Sequence, residues 1–277
     1  MYGPVLLVIA HGSRDPRHAA TVHALVRHVR MLCPGLRVST AFLDFNAPSV
    51  PQVLERMAND GVRDVVALPL LLTRAYHAKA DIPSVLNEAR ARHPRLRITQ
   101  ADVLGPSPLL LDAVERRLYE AGLCPATAFS RGATPGPPVK NPDWRREVDR
   151  FKSSTGVVLA SAGSSDPEAI AVIAEIAREL RHTGWCAVRP AFASAALPRT
   201  EDAVRALRAE GVRRVAVAPY VIAPGRLPDR IAAGAVEAGA DLVSDVLGPA
   251  PELARLLLER YEQAHRAATP TLVADVA

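Results

Sequence analysis

Apolar and polar positions follow a strand–helix rhythm along the first 122 residues. Residues 4–10 (PVLLVIA) are an unbroken apolar run, the pattern of a parallel strand buried on both faces. Val22, Leu25, Val26 and Val29 then recur at helical spacing on a segment that stops before Pro34-Gly35. The pattern predicts a second strand over 36–43 (LRVSTAFL), a helix after Pro48 and a third strand within VRDVVALPL at 62–70. Asp81 with Pro83 marks the start of the next helix. RLRITQA at 95–101 reads as a fourth strand and 106–122 as a fourth helix. This order predicts a doubly wound α/β domain around a parallel sheet.

The rhythm then breaks. CPATAFSRGATPGPPVKNPDW is rich in Pro and Gly and has no sustained period, so 123–153 reads as a linker. Beyond it the plan returns. GVRDVVALP at 61–69 recurs as GVRRVAVAP at 211–219, and AFLDFNAP at 41–48 as AFASAALP at 191–198, both at an offset of 150. DVLGP occurs at 102–106 and again at 245–249, and LLVIAHGSRDP at 6–16 is echoed by VVLASAGSSDP at 157–167. Colinear matches over more than a hundred residues indicate a duplicated domain rather than a solenoid unit. The expected organisation is a first lobe at 1–122, the linker at 123–153, a second lobe at 154–268 and a C-terminal tail at 269–277.

Composition narrows the function classes. The net charge of +5 hints at nucleic acid, but six basic and three acidic residues between Arg131 and Lys152 supply a surplus of three, which leaves the folded halves close to neutral. Aromatic residues make up only 4% of the chain, which weakens any base-stacking role, so no nucleic-acid partner is expected. No apolar run approaches the roughly 18 residues of a membrane span, and the apolar stretch near the N-terminus is short for a secretory signal and lacks a basic leader. Cys33, Cys124 and Cys186 form no CxxC pair and suggest neither disulfides nor a zinc site. A soluble cytoplasmic protein without a membrane partner is the expectation.

The two copies differ in their polar chemistry. His11 faces Ala162, Asp44 faces Ser194 and His77 faces Leu227, while the framework Gly, Pro and Val positions are kept. His11 is expected at the end of the first strand, Asp44 at the end of the second, and His77 in the loop after the third. These are carboxyl-end positions, where parallel sheets bind ligands. Two imidazoles and a carboxylate there suit a divalent first-row metal. Each also has a plainer role open to it: a loop histidine is commonly solvated or structural, and Asp44 suits a turn or a cap. His18, His23, His28 and His93 are expected at the surface, and Ser13 and Ser164, present in both copies, as caps of the helices that follow. There is no GxGxxG after the first strand, no GxxxxGK[ST] and no GxSxG, and AHGSR does not have the Arg-His-Gly order of phosphohistidine phosphatases.

LLVIAHGSRDP, AFLDFNAPS and LPLLLTRAYHAKADIP together resemble the class II chelatases, and more narrowly the sirohydrochlorin chelatases, which insert iron for siroheme or cobalt for cobalamin. The resemblance spans nearly all of the chain outside the linker and tail, since the family includes two-lobed members formed by duplication. It implies a lyase in which His11 and His77 handle the metal, with Asp44 standing where the family often has a glutamate. It further implies Fe2+ or Co2+ as a substrate, no tightly bound cofactor, and a carboxylate-rich tetrapyrrole as the other substrate. Ser13, Arg14, Arg74 and Lys79 lie in the same expected loops as the histidines and are candidates to bind that tetrapyrrole, the cations by pairing with carboxylates. Arg226 and Arg230 are second-lobe candidates for the far wall of a cleft. The fused second lobe implies a monomer where single-lobe members pair. Neutral imidazole suits this chemistry, because it binds such metals and, with a pKa of about 6.5, also accepts a proton near neutrality. Two other readings stand beside the enzyme: a carrier of metal or tetrapyrrole without turnover, and a hydrolase using the same three residues to activate water.

Overall fold

A computed structural model describes residues 3–74, 77–123 and 142–268; the side chains of His77, Leu123, Pro142–Arg145 and Glu147 also lie outside the described set. The chain divides into two compact units, each described here by itself. One comprises the residues up to Gly105 together with those from Pro249 onward; the other comprises Pro106–Gly248.

The first unit is built on a parallel sheet of β1 (Val5–Ala10), β2 (Val38–Phe42), β3 (Asp64–Pro69) and β4 (Arg97–Gln100), in the spatial order β2-β1-β3-β4. All six residues of β1 are buried, as a central strand covered on both faces requires. Side chains alternate across the pleat. Val5, Leu7 and Ile9 meet Val53, Leu54 and Met57 of α2 (Val50–Asn59) and Ile82, Leu86 and Ala89 of α3 (Ile82–Arg92). The opposite face is served by α1 (Pro16–Leu32), whose stripe Val22, Leu25, Val26 and Val29 is buried as its spacing predicts. Beside α1 lies α9 (Pro251–Ala268), which packs on β3 and β4. Arg260 of α9 donates from Nε to the carbonyl of Val103 (2.9 Å) and from Nη2 to that of Leu104 (2.9 Å), and the Tyr261 hydroxyl donates to the carbonyl of Pro4 (2.8 Å).

The second unit repeats the sheet. Its strands are β5 (Thr155–Ser161), β6 (Ala187–Phe192), β7 (Arg214–Tyr220) and β8 (Leu242–Val243), all parallel, in the order β6-β5-β7-β8. Val158, Ala160, Val215 and Val217 form a core with Ala203, Val204 and Leu207 of α7 (Thr200–Ala209) and Ile231 and Ala235 of α8 (Arg226–Glu237). α6 (Pro167–His182) follows β5. α4 (Pro108–Leu118) packs on β7, and its Arg117 donates from Nε and Nη2 to the carbonyl of Leu247 (3.0 and 2.8 Å). The sequence repeat runs 1–122 and 154–268, but the packing units divide otherwise: the last helix of each repeat lies in the unit of the other repeat's sheet.

Two local expectations are corrected. The end of the expected linker is a helix, α5 (Pro142–Ser154). It is fixed at its C-terminal end by Lys152, whose buried ammonium donates to Glu115 of α4 (2.6 Å) and to the carbonyl of Thr183 (3.0 Å). The Trp185 indole N–H donates to the same Glu115 oxygen (3.1 Å). A helix held by one buried ion pair and few apolar side chains leaves little periodic signal to read. The remainder of the linker, 124–141, and the tail 269–277 lie outside the described residues. The caps of α1 and α6 are not Ser13 and Ser164 but Asp15 and Asp166, whose carboxylates accept from the amides of Arg17 (2.9 Å) and Glu168 (3.0 Å). The two serine hydroxyls lie one step earlier and accept from the Asp15 and Asp166 amides, at 3.1 and 3.0 Å.

Candidate functional site

In a doubly wound sheet of order 2-1-3-4, the connections leave the neighbouring strands β1 and β3 toward opposite faces, which opens a crevice at their carboxyl ends. His11 is the first residue after β1. The segment following β3 leads to a π-helical turn at His77–Asp81, which runs straight into α3. The expected helix start at Asp81 therefore falls inside a continuous helical path, and Asp81 makes no side-chain cap hydrogen bond there. The His77 backbone begins that turn; its side chain lies outside the described residues.

The turn after β1 and the loop after β2 are laced backbone to backbone. The amides of Leu43 and Asp44 donate to the carbonyls of Ala10 (3.0 Å) and His11 (2.9 Å), and the Ser13 amide donates to Asn46 Oδ1 (2.8 Å). Gly12 has φ +95° and lies against the Asp44 carbonyl so closely that any Cβ there would overlap it. A side chain at position 12 would thus push the two loops apart. This contact brings His11, Ser13, Arg14 and Asp44 to one place.

His11 is half-buried, and its Nδ1 lies 3.1 Å from the Gly12 carbonyl oxygen. A carbonyl oxygen only accepts, so Nδ1 is the donor in this contact. Asp44 is exposed, and its Oδ1 accepts from the Phe45 amide (2.8 Å). Among the described residues no three His, Cys, Asp or Glu side chains converge to hold a metal ion. The described part of the expected centre contributes His11 and Asp44.

Of the other expected site residues, Ser13 and Arg14 belong to this turn and the rest lie on other elements. The Ser13 hydroxyl is engaged within its own turn, as above. Arg14 is exposed, with its guanidinium 5.3 Å from the centre of the Phe45 ring. Arg74 forms an exposed ion pair with Asp102, a contact that contributes little in water. Lys79 is exposed on the π-helical turn. Arg226 and Arg230 are exposed on α8, in the second unit.

Two residues of the neighbourhood were not anticipated. His18, expected at the surface, is half-buried in the first turn of α1, and its Nδ1 is sealed from solvent with no hydrogen-bond partner among the described residues. Burial pushes its pKa down, the charge of His11 acts in the same direction, and Asp15 opposes both. Phe45 has φ 60°, is 50% exposed, and places its ring centre 6.2 Å from that of His11 at an interplanar angle of 29°. The repeat held a signal for both. Phe45 faces Ala195, and His18 faces Ala169.

The second unit reproduces the turn without its chemistry. Ser194 donates its amide to the Ala162 carbonyl (3.0 Å), Gly163 has φ +91° and lies against the Ser194 carbonyl, and Ala195 has φ 58°. Leu227, opposite His77, packs against the core.

The CbiX family model matches residues 5–121 and again 156–264. A sirohydrochlorin cobaltochelatase of Priestia megaterium is 25% identical over 232 residues, covering 83% of this chain and 68% of the relative. A sirohydrochlorin ferrochelatase of the same organism is also 25% identical, over 231 residues, covering 83% of this chain and 77% of the relative. Among solved structures, SirB from Bacillus subtilis with Fe3+ superposes with a TM-score of 0.76 at 23% identity, covering 95% of this chain and 96% of the other.

Proposed function

The chain belongs to the CbiX family, and from that membership we propose that it is a sirohydrochlorin chelatase, a lyase-class enzyme that inserts Fe2+ or Co2+ into the tetrapyrrole. The observation that carries this reading is the contrast between two turns of the same backbone. The first presents His11 and Asp44 at the crevice edge of the sheet, while the second keeps the glycine and the hydrogen bonds but has Ala162 and Ser194. The polar groups of the first turn are thus not what the fold requires.

In this reading the metal is a substrate held by His11 through Nε2, by His77 and by Asp44. Three protein donors leave open positions for the macrocycle nitrogens, and a mixed nitrogen and oxygen set binds such ions without trapping them. Insertion replaces two pyrrole N–H bonds by bonds to the metal, so two protons must leave. His11 and His77, each relieved of the metal, are suitable acceptors of one proton apiece. Arg14 and Lys79, both exposed, meet the carboxylates at the macrocycle rim, and Arg74 joins them by exchanging Asp102 for substrate. The two Priestia megaterium relatives, one iron and one cobalt, are equally similar to this chain, so overall identity favours neither metal.

The test is metal insertion followed by absorbance, with sirohydrochlorin and each metal in turn. Purified protein yields metallated product over many turnovers, and His11→Ala and His77→Ala each slow insertion by about 100-fold or more. A carrier would instead bind one equivalent and release no product. Wild-type rates in both variants would remove the two histidines from the mechanism.

A further inference from the structure

We infer that Phe45 is the stacking platform for the tetrapyrrole, the residue that holds the macrocycle face while its centre lies at His11. This inference rests on the chelatase reading above and adds a binding residue to it.

Three observations converge on the ring. The first is its cost to the fold. Phe45 has φ 60°, a backbone conformation that side chains other than glycine and asparagine seldom adopt, and it leaves half of a large apolar side chain in water. Neither feature helps folding. The second unit shows what the loop itself needs: Ala195 has φ 58° at the same place, followed by the same Ala196-to-Ser194 hydrogen bond (2.7 Å) that Asn46 makes to Asp44 (2.7 Å). The loop keeps its shape with a methyl group. An exposed aromatic on a strained backbone, retained only where the polar site is retained, points to a ligand.

The second observation is the company the ring keeps. Its ring is stacked with that of His11, centres 6.2 Å apart and planes within 29° of each other, and the Arg14 guanidinium lies over it at 5.3 Å. To take the macrocycle, the Phe45 ring turns about its side-chain torsions while Arg14 moves off it toward the carboxylate rim. An imidazole, an apolar ring and a cation are therefore gathered in one cluster. A tetrapyrrole offers a matching set: a nitrogen-lined centre, a broad conjugated face and a rim of carboxylates.

The third is the lock on position. The Phe45 amide donates to Asp44 Oδ1 (2.8 Å), and Asp44 is tied by its own amide to His11 (2.9 Å). The ring is thus anchored to the same backbone as two of the proposed metal ligands, and a macrocycle lying on it is registered against them. Offset stacking at such distances, added to burial of the exposed half of the ring, corresponds to about a tenfold gain in affinity.

The experiment separates tetrapyrrole binding from metal binding in the full chain. Metal-free sirohydrochlorin is titrated by absorbance against wild type, Phe45→Ala and Phe45→Trp, and Co2+ is titrated against the same proteins. Phe45→Ala is expected to weaken tetrapyrrole binding about tenfold, Phe45→Trp to restore it to within twofold, and Co2+ affinity to stay within twofold throughout. Thermal unfolding of Phe45→Ala should match wild type, because Ala195 already occupies this conformation. Wild-type tetrapyrrole affinity in Phe45→Ala, or a loss confined to Co2+ binding, overturns the platform alone. A wild-type protein that binds no sirohydrochlorin overturns both the platform and the chelatase reading.

Discussion

The turns that follow β1 and β5 have one backbone and two side-chain sets. Gly12 and Gly163 are pressed against the carbonyls of Asp44 and Ser194, Phe45 and Ala195 share a left-handed φ, and Asp15 and Asp166 cap the helices that follow. Over the same stretch His11, His18, Asp44 and Phe45 stand opposite Ala162, Ala169, Ser194 and Ala195. Within one molecule, then, the second turn is a control for the first. What both keep belongs to folding, and what only the first keeps is left for chemistry.

The two units also differ in how the exchanged helix is held, and the largest expected effect lies there. In the second unit the Glu115 carboxylate takes the buried Lys152 ammonium and the Trp185 indole, whereas the corresponding position of α9 in the first unit is Leu258. Glu115→Ala leaves a buried ammonium without its counter-ion and is expected to cost about 3–5 kcal/mol. Denaturant unfolding should show that loss, and Leu258→Ala should not show it through any charge effect. A Glu115→Ala protein as stable as wild type would mean that the ion pair contributes nothing to holding α4.

The glycine pair gives the next effect. Gly12→Ala and Gly163→Ala each place a methyl group into a carbonyl oxygen at positive φ, and each is expected to lose about 2 kcal/mol. Their thermal shifts should agree, but only Gly12→Ala should also slow metal insertion by the folded enzyme. Equal losses of activity would show that the second turn is not a silent copy.

The smallest effect concerns His18, half-buried where the second copy has Ala169. Its folded-state pKa lies below the ordinary value, first through burial and then through His11. Below about pH 6.5 the unfolded chain takes up a proton that the folded chain refuses, so stability declines as pH falls through that value toward the depressed pKa. His18→Ala should lose less stability than wild type between pH 7.5 and 5.5. Identical pH slopes would assign the acid sensitivity to other groups.

The sheet and most of its helices are legible in the sequence because their burial is periodic. α1 is buried along a single stripe, which only a helix explains, while β1 is buried at every residue and reads as a strand by its short length and the turn residues that follow it. The exchange of α4 and α9 is not legible, because periodicity tells which face of a helix is apolar and not which sheet that face covers. α5 was hidden for a related reason, its position depending on Lys152 finding Glu115 far away in the chain. In the candidate site, the carboxyl-end position of His11 followed from strand order and the repeat. Phe45 lay in the same alignment, yet an aromatic beside a strand reads as core, and only its exposure and its φ separate it from one. A helical histidine outside the apolar stripe reads as solvated, and the burial of the His18 Nδ1 leaves no mark in the spacing.

Arg117 and Arg260 occupy matching places on α4 and α9, and each reaches a carbonyl in the other repeat's DVLGP segment. The seams of the molecule accordingly run between Gly105 and Pro106 and between Gly248 and Pro249, the same dipeptide twice, and not through the Pro/Gly-rich stretch that looks like a hinge. Scissors applied at that stretch would leave two fragments, each carrying a helix that belongs on the other's sheet. Cut instead at the two Gly-Pro steps, 106–248 is one unbroken stretch of sequence that carries the helices packed on its own sheet, inserted in chain order between the two parts of its sibling.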